Sequence, residues 1–119
     1  MKIKMKPWGS EKIIFKKDKV QFKILNIKKG EETSLQYHKH KTEAMIPLDN
    51  NASVEYSSIV DLKNKEKPRR MHIKKGFAYI INPMHIHRFL AEKKDTTLAE
   101  LSNGSDKDII RLEDKYNRK

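Results

Sequence analysis

Two short segments of the sequence concentrate side chains that bind metal ions. In the first, Gln36, His38 and His40 stand at positions i, i+2 and i+4, so in an extended strand all three point to the same face. In the second, His85 and His87 form another His-x-His pair. Four of the five histidines therefore fall into two clusters, whereas a lone histidine is more often a surface or core residue.

Several imidazoles with one carboxylate are typical of a site for a divalent transition metal. Glu43 follows three residues after His40 and supplies the carboxylate. The chain has no cysteine, which excludes disulfides and thiolate ligands. The two segments predict one divalent metal ion held by His38, His40 and His87, with positions left open for water or substrate.

The role of His85 depends on the local backbone. If its segment is extended, His85 shares a face with His87 and is a candidate fourth ligand or acid-base group. If it belongs to a turn, it points at solvent, and this is the alternative we favour.

Other residues are candidates for contacts with a substrate. Arg88, Arg111 and Arg118 are candidates for binding a phosphate, because guanidinium holds phosphate oxygens in a bidentate fork. Salt bridges with neighbouring acidic residues are the alternative. Tyr37 and Trp8 are candidates for stacking on a sugar ring, although a single tryptophan more often fills the core.

The elements that must position these residues are short strands. Segments rich in β-branched and aromatic residues recur about every ten residues, which is typical of a sandwich or barrel. The predicted strands are 12–15, 20–28, 34–37, 44–48, 52–59, 70–73, 78–81, 86–90 and 96–101. Segment 63–70 is expected to be an exposed hairpin loop, and segment 105–116 is left open between a short helix and a last strand. The fold class is therefore all-β.

Length and charge limit the possible functions. A chain of 119 residues fits a single domain. Its 27 lysines and arginines against 16 acidic residues give a net charge of +11, but they are scattered and lack interleaved aromatics, so a nucleic-acid partner is not expected. No long apolar run indicates a signal peptide or a membrane partner, and we expect a soluble, cytoplasmic protein. A homodimer is expected, because open strand edges need cover.

Four stretches carry a resemblance to a known family. The sequence resembles the cupin superfamily, whose first motif carries His-x-His followed by Glu and whose second ends in His. It is most similar to the small cupin domain of type II mannose-6-phosphate isomerases, which is often fused behind mannose-1-phosphate guanylyltransferase. The stretches are Lys-Pro-Trp-Gly-Ser at 6–10, Ser-Leu-Gln-Tyr-His-Lys-His-Lys-Thr-Glu at 34–43, Ile-His-Arg at 86–88 and Ile-Arg-Leu-Glu-Asp-Lys-Tyr-Asn-Arg at 110–118.

The resemblance implies a single cupin domain over 1–119, a double-stranded β-helix (jelly-roll) barrel. It places the metal histidines at His38, His40 and His87, and Glu43 near the family's carboxylate. Gln36 looks like the glutamine of the Gln-x-His pair that holds zinc in type I phosphomannose isomerases, so it is a possible ligand. Met45 stands where many metal-binding cupins have Glu, which leaves the fourth ligand open.

The function implied is aldose-ketose isomerisation of a phosphorylated sugar, or action on a nucleotide sugar. The reaction needs a Lewis acid and a base, for which Glu43 and His85 are the candidates. Zinc is the expected ion, with iron, manganese, nickel and cobalt as alternatives. Two other functions stay open: an iron-dependent cupin dioxygenase and a non-catalytic sugar-binding module.

Overall fold

A computed structural model of the protein describes residues 2–113 and Tyr116. This part of the chain forms eleven strands and one short helix. The elements in chain order are β1 (Lys2–Lys6), β2 (Gly9–Lys17), β3 (Val20–Ile27), β4 (Leu35–Tyr37), β5 (Glu43–Pro47), β6 (Ala52–Ser57), α1 (Ile59–Lys63), β7 (Arg69–His72), β8 (Tyr79–Ile81), β9 (Ile86–Ala91), β10 (Thr96–Asn103) and β11 (Ile110–Glu113).

The strands form two antiparallel sheets. The first has the order β1-β2-β3-β10-β5-β8, and the second has the order β11-β4-β9-β6-β7. Neighbours in each sheet are mostly distant in sequence, as when β10 pairs with both β3 and β5. The inward faces of the two sheets share one apolar core. The double-sheet jelly-roll barrel predicted from the sequence is confirmed.

The inward side chains change from apolar to ionisable along the strands. Four strands share this change, and two of them, β5 and β10, pair directly. The apolar members are Leu25 on β3, Met45 on β5, Phe89 on β9 and Leu98 on β10. Two residues away on the same face of each strand lie the ionisable ones, in the same order Lys23, Glu43, His87 and Glu100. One end of the barrel is therefore a dry core, and the other is a buried polar layer, where unpaired charges are unfavourable unless they bind each other or a ligand.

Two elements were not predicted from the sequence, and a third resolves the alternative left open for segment 105–116. β1 was not predicted, because its apolar residues Ile3 and Met5 face solvent, while Lys4 and Lys6 line the interior. α1 was not predicted either; Ser58 caps its N-terminus, and the Ser58 hydroxyl accepts the Asp61 N–H at 3.0 Å. In the open segment 105–116, Ile110–Glu113 form the last strand, β11. No helix in the described part of the chain is long and apolar enough to cross a membrane.

The outer face of the first sheet carries a row of exposed apolar side chains. The directly paired residues Phe15, Phe22 and Leu101 lie in this row, and Ile80 extends it through Ala44. Phe15 is 50% exposed and Ile80 is 53% exposed. The homodimer stays a prediction, for which this face is a candidate contact.

Candidate metal centre

Three buried side chains converge where the two sheets meet. His38 follows β4, Glu43 is the first residue of β5, and His87 lies in β9, so both sheets contribute. One ligand atom from each lies within 4.8 Å of the others. The three side chains are almost completely inaccessible to solvent. Two imidazoles and one carboxylate are donors for which a divalent transition metal has high affinity.

Backbone carbonyls hold both imidazole rings in place. Nδ1 of His38 lies 2.5 Å from the backbone oxygen of Asp108, and Nδ1 of His87 lies 2.9 Å from that of His85. A proton on Nδ1 satisfies each carbonyl and leaves the Nε2 lone pair free, as is usual for metal-binding histidines. The buried Nε2 of His87 has no hydrogen-bond partner in the described residues. It is therefore a polar atom that a metal ion would satisfy.

The third donor lies against His38. Oε1 of Glu43 is 2.7 Å from Nε2 of His38. With Nδ1 bonded to Asp108, these two atoms attract each other only when a proton or a metal ion lies between them. Burial opposes the charged ring, but the hydrogen bond to Glu43, the Glu43 charge and the Asp108 carbonyl together outweigh it and raise the pKa of His38. Burial likewise opposes the Glu43 charge, yet His38 and Lys41 lower the pKa of Glu43 to about 2.

The protonation states fit metal binding. Burial lowers the pKa of His87, which favours the neutral ring that ligates metals. Glu43 is ionised over the whole physiological range, because its pKa is near 2. The raised pKa of His38 favours a proton on its Nε2, and a cation would compete with that proton for the position beside Glu43. The residues present therefore fit a divalent metal ion.

The structure does not bring His40 into this cluster. β4 ends at Tyr37, and the chain bends at Lys39 and His40, so the same-face rule of an extended strand no longer applies. The Asp108 carboxylate holds this bend by accepting the backbone N–H of Lys39, His40 and Lys41 at 2.8, 2.9 and 3.0 Å. The His40 side chain is exposed, and Glu43 occupies the third place in the cluster.

Gln36 lies beside the cluster, in the strand position directly opposite His87. Its Oε1 accepts a hydrogen bond from the Ser34 hydroxyl at 2.6 Å. Gln36 lines the cavity in front of the histidines, whereas Tyr37, its neighbour in β4, does not. Trp8 belongs to the apolar core and touches the same cavity.

Two other candidates lie elsewhere. His85 is exposed in the turn before β9, after Met84 with its φ of +69°, and its side chain lines a second cavity. Arg88 alternates with His87 along β9 and so points to the other face of the sheet. There its guanidinium lies 2.8 Å from Glu32 and 3.2 Å from Glu113. Arg88 therefore forms salt bridges, which was the alternative to binding a phosphate. Arg118 lies outside the described residues.

A cavity of about 140 Å³ lies in front of the cluster, and charged side chains line it. Arg111 enters it from β11, directly opposite Gln36 in the strand register. Other basic residues on its wall are Lys4, Lys6, Lys23 and Lys41, and the acidic ones besides Glu43 are Glu11, Glu100 and Asp106. The cavity therefore combines the candidate metal ligands with several cationic side chains.

Sequence reasoning missed Lys41 and Glu100. Lys41 is buried, and its Nζ lies 3.4 Å from Glu43 and 3.9 Å from Glu100. Glu100 is 7% exposed and accepts a hydrogen bond from the Ser102 hydroxyl at 3.2 Å. Burial raises the pKa of Glu100 to about 7. The available signal was a glutamate at an inward position of an alternating strand, between Leu98 and Ser102.

Comparisons with known proteins agree on one family. Residues 2–114 match the family model described as mannose-6-phosphate isomerase C-terminal. Two relatives are the mannose-1-phosphate guanylyltransferases of Salmonella typhimurium, named ManC, and of Escherichia coli K12. Each is 28% identical over 114 residues, which is 95% of this chain but 22% of the relative. The chain thus spans about a fifth of the length of these relatives.

Solved structures share the fold at low identity. The capsular polysaccharide assembling protein CapF from Staphylococcus aureus superposes with a TM-score of 0.79 and 16% identity, covering 94% of this chain and 34% of that one. KdgF from Halomonas sp. gives a TM-score of 0.69 and 15% identity, covering 90% of both chains. A cupin 2 conserved barrel domain protein from Rhodopseudomonas palustris gives 0.65 and 15%, covering 81% and 61%. These similarities show the fold alone.

Proposed function

Since the chain belongs to the mannose-6-phosphate isomerase C-terminal family of cupin domains, we propose that it is a metal-dependent enzyme acting on a phosphorylated sugar or nucleotide sugar. Aldose-ketose isomerisation is the reaction that the site supports best. One observation carries the proposal: His38, His87 and Glu43 converge in a buried cavity that also receives Arg111 and Lys41. The cavity thus offers metal ligands, an anion-binding group and ionisable groups together.

In this proposal His38, Glu43 and His87 hold one divalent ion, with zinc expected and iron, manganese, nickel or cobalt as alternatives. Such an ion polarises a carbonyl oxygen and stabilises the negative charge that develops on it. Glu43 is thereby a ligand and not the base predicted from the sequence. The exposed His40 is left outside the ligand set, and Gln36, opposite His87 on the adjacent strand, lines the cavity.

Glu100 is the proposed base. Its carboxylate lines the cavity, and the Ser102 hydroxyl fixes one of its oxygens. A pKa of about 7 is suited to accepting a carbon-bound proton and returning it at the neighbouring carbon. Lys41, buried beside Glu100 and Glu43, is placed to donate a proton or hydrogen bond to a substrate oxygen. His85 is not required, because its side chain lines a different cavity.

Arg111 is the proposed phosphate ligand. Its side chain lines the metal-side cavity, and Lys4 and Lys6 on β1 add positive charge to the same wall. A guanidinium with two ammonium groups nearby suits a phosphate dianion. The net charge of +11 attracts such a substrate over a longer range at low salt.

One observation favours a second function. Two histidines and one carboxylate form the donor set of non-haem iron oxygenases, which also keep coordination positions open. An iron-dependent cupin dioxygenase is therefore the second candidate. It differs from an isomerase in consuming molecular oxygen.

The test starts with protein purified without a chelating tag and analysed for its metal. NMR then follows mannose-6-phosphate and fructose-6-phosphate with the wild type and with Glu100→Gln. Interconversion by the wild type and its loss in Glu100→Gln support the isomerase. If the iron-loaded protein consumes oxygen but does not interconvert the two sugar phosphates, the dioxygenase replaces the isomerase as the proposed function. Sugar-phosphate binding with neither reaction identifies a binding module.

A further inference from the structure

One row of polar side chains crosses the second sheet from edge to edge. The strand register places Arg111, Gln36, His87, Tyr56 and Arg69 directly opposite one another on β11, β4, β9, β6 and β7. Paired residues of antiparallel strands share a face, so these side chains lie on the inner side. The metal ligand His87 is at the middle of the row, with an arginine at each end.

His87 also lines two cavities, one on each side of it in this row. The metal-side cavity of about 140 Å³ lies on the Gln36 and Arg111 side. A second cavity of about 360 Å³ lies on the Tyr56 and Arg69 side, and His87 lines both. The loop after α1 and the turn before β9 form the walls of the second cavity.

The sizes of the two cavities indicate which part of a ligand each of them can hold. Small-molecule sites usually have volumes of about 300–1,000 Å³. The metal-side cavity is well below this range, whereas the second cavity is within it. A substrate whose reacting end reaches the metal ligands therefore finds room for its larger part in the cavity beyond His87.

The lining of the second cavity specifies the chemistry of that larger part. Tyr56 and Tyr79 supply aromatic faces, and in the described residues neither phenol hydroxyl has a hydrogen-bond partner. Arg69 and Lys67 also line it, and neither has a carboxylate within 4.0 Å in that part of the chain. Two acidic side chains, Asp61 and Glu66, complete the set.

We propose that the second cavity binds the nucleoside diphosphate part of a nucleotide sugar whose sugar ring faces the metal-side cavity. Tyr56 and Tyr79 contact the planar base, and Arg69 with Lys67 binds the diphosphate. Asp61 and Glu66 accept hydrogen bonds from ribose hydroxyls. A free hexose phosphate leaves these groups unused. This inference rests on the proposed function, because it selects one of its two substrate classes.

Isothermal titration of the full chain with GDP and UDP tests the subsite. We expect binding of at least one of them, weakened by about tenfold or more in Arg69→Ala, because a charge-assisted contact to phosphate is lost. Arg70→Ala is the matched control, since Arg70 is adjacent in β7 but bonds Glu55 and Glu92 on the other face. Equal loss in both variants, or no binding of either nucleotide, overturns the proposal.

A second arm separates this subsite from the metal site, because a diphosphate also binds metal ions. Nucleotide binding should persist in His38→Ala, and its loss there would mean that the diphosphate sits on the metal, which overturns the subsite. If hexose phosphates are interconverted but GDP and UDP do not bind, the subsite fails and the proposed function stands. If nucleotides bind in the Arg69-dependent way without any hexose phosphate turnover, the subsite stands and the isomerase fails.

Discussion

Nε2 of His38 lies 2.7 Å from Oε1 of Glu43, while Nδ1 of the same ring is bonded to the backbone oxygen of Asp108. Both nitrogens of one buried ring therefore face oxygen atoms. Because Nδ1 carries a proton for Asp108, the His38 to Glu43 contact is attractive only with a second proton or a metal ion between the atoms. Acid therefore favours the protonated ring, and a metal ion at this cluster would have to displace that proton.

The two histidines of the first motif should differ in their effect on metal content. His38→Ala removes a buried ligand and should lower metal affinity by roughly tenfold or more. His40→Ala should leave metal content unchanged, because the His40 side chain is exposed on the bend. Elemental analysis after dialysis against a weak chelator measures both. Equal loss in the two variants would mean that His40 is a ligand, as the sequence pattern predicted.

The two glutamates of the cavity should separate binding from catalysis. Glu43→Gln should lose metal and turnover together, because an amide oxygen is a weaker ligand than a carboxylate. Glu100→Gln should keep its metal but lose turnover by about 100-fold or more, since an amide cannot accept the proton. Metal content and NMR rates on the same preparations give the answer. A metal-replete Glu43→Gln that is inactive would restore Glu43 as the base.

Asp108 should stabilise both the bend and the metal site. Asp108→Ala removes a carboxylate that accepts three backbone N–H groups and should cost about 1–2 kcal/mol of unfolding free energy. It should also weaken metal binding, because loss of the carboxylate contacts frees the backbone at residue 108, whose carbonyl orients His38. Asp95→Ala is the control, since Asp95 accepts the Lys29 N–H in a different loop. A metal affinity equally reduced in both variants would argue against a specific role.

Glu100 should make the protein less stable as pH rises through the neutral range. Its pKa is raised from 4.5 to about 7 by burial, so between these values the folded state binds more protons than the unfolded state. Stability then falls with rising pH by roughly 1–3 kcal/mol from this group. Urea denaturation at pH 5 and pH 8 should show this loss in the wild type and a smaller one in Glu100→Gln. Identical pH profiles of the unfolding free energy in the wild type and in Glu100→Gln would contradict the raised pKa of Glu100.

Gly9 should tolerate no side chain. A Cβ at Gly9 would lie 1.9 Å from the backbone oxygen of Asn26, and its φ is +153°. Gly9→Ala should therefore destabilise the fold by roughly 3 kcal/mol or more, because β2 would have to separate from β3. Gly76→Ala meets no atom within 4 Å, and only its φ of +82° costs energy, about 1–2 kcal/mol. A similar loss of unfolding free energy in both would refute the close-approach argument.

The sequence by itself determined the fold class and much of the site. Strand periodicity near two residues and regularly spaced turns predicted an all-β barrel, because alternation assigns each side chain to one face. The His38 and His87 segments identified the candidate metal centre without any contact information. β1 was missed for the same reason that the others were found: its apolar residues point outwards and its lysines inwards.

Only the tertiary structure decided which side chains form the buried cluster and which other groups line the cavity. His40 and Glu43 were both near His38 in sequence, and the choice between them depends on a bend that Asp108, about 70 residues away, holds in place. Glu100 and Lys41 meet only because β10 pairs with β5. Local sequence determines which face of a strand a side chain occupies. Long-range strand pairing determines which of these faces lie against one another, and the chemistry of the cavity depends on that pairing.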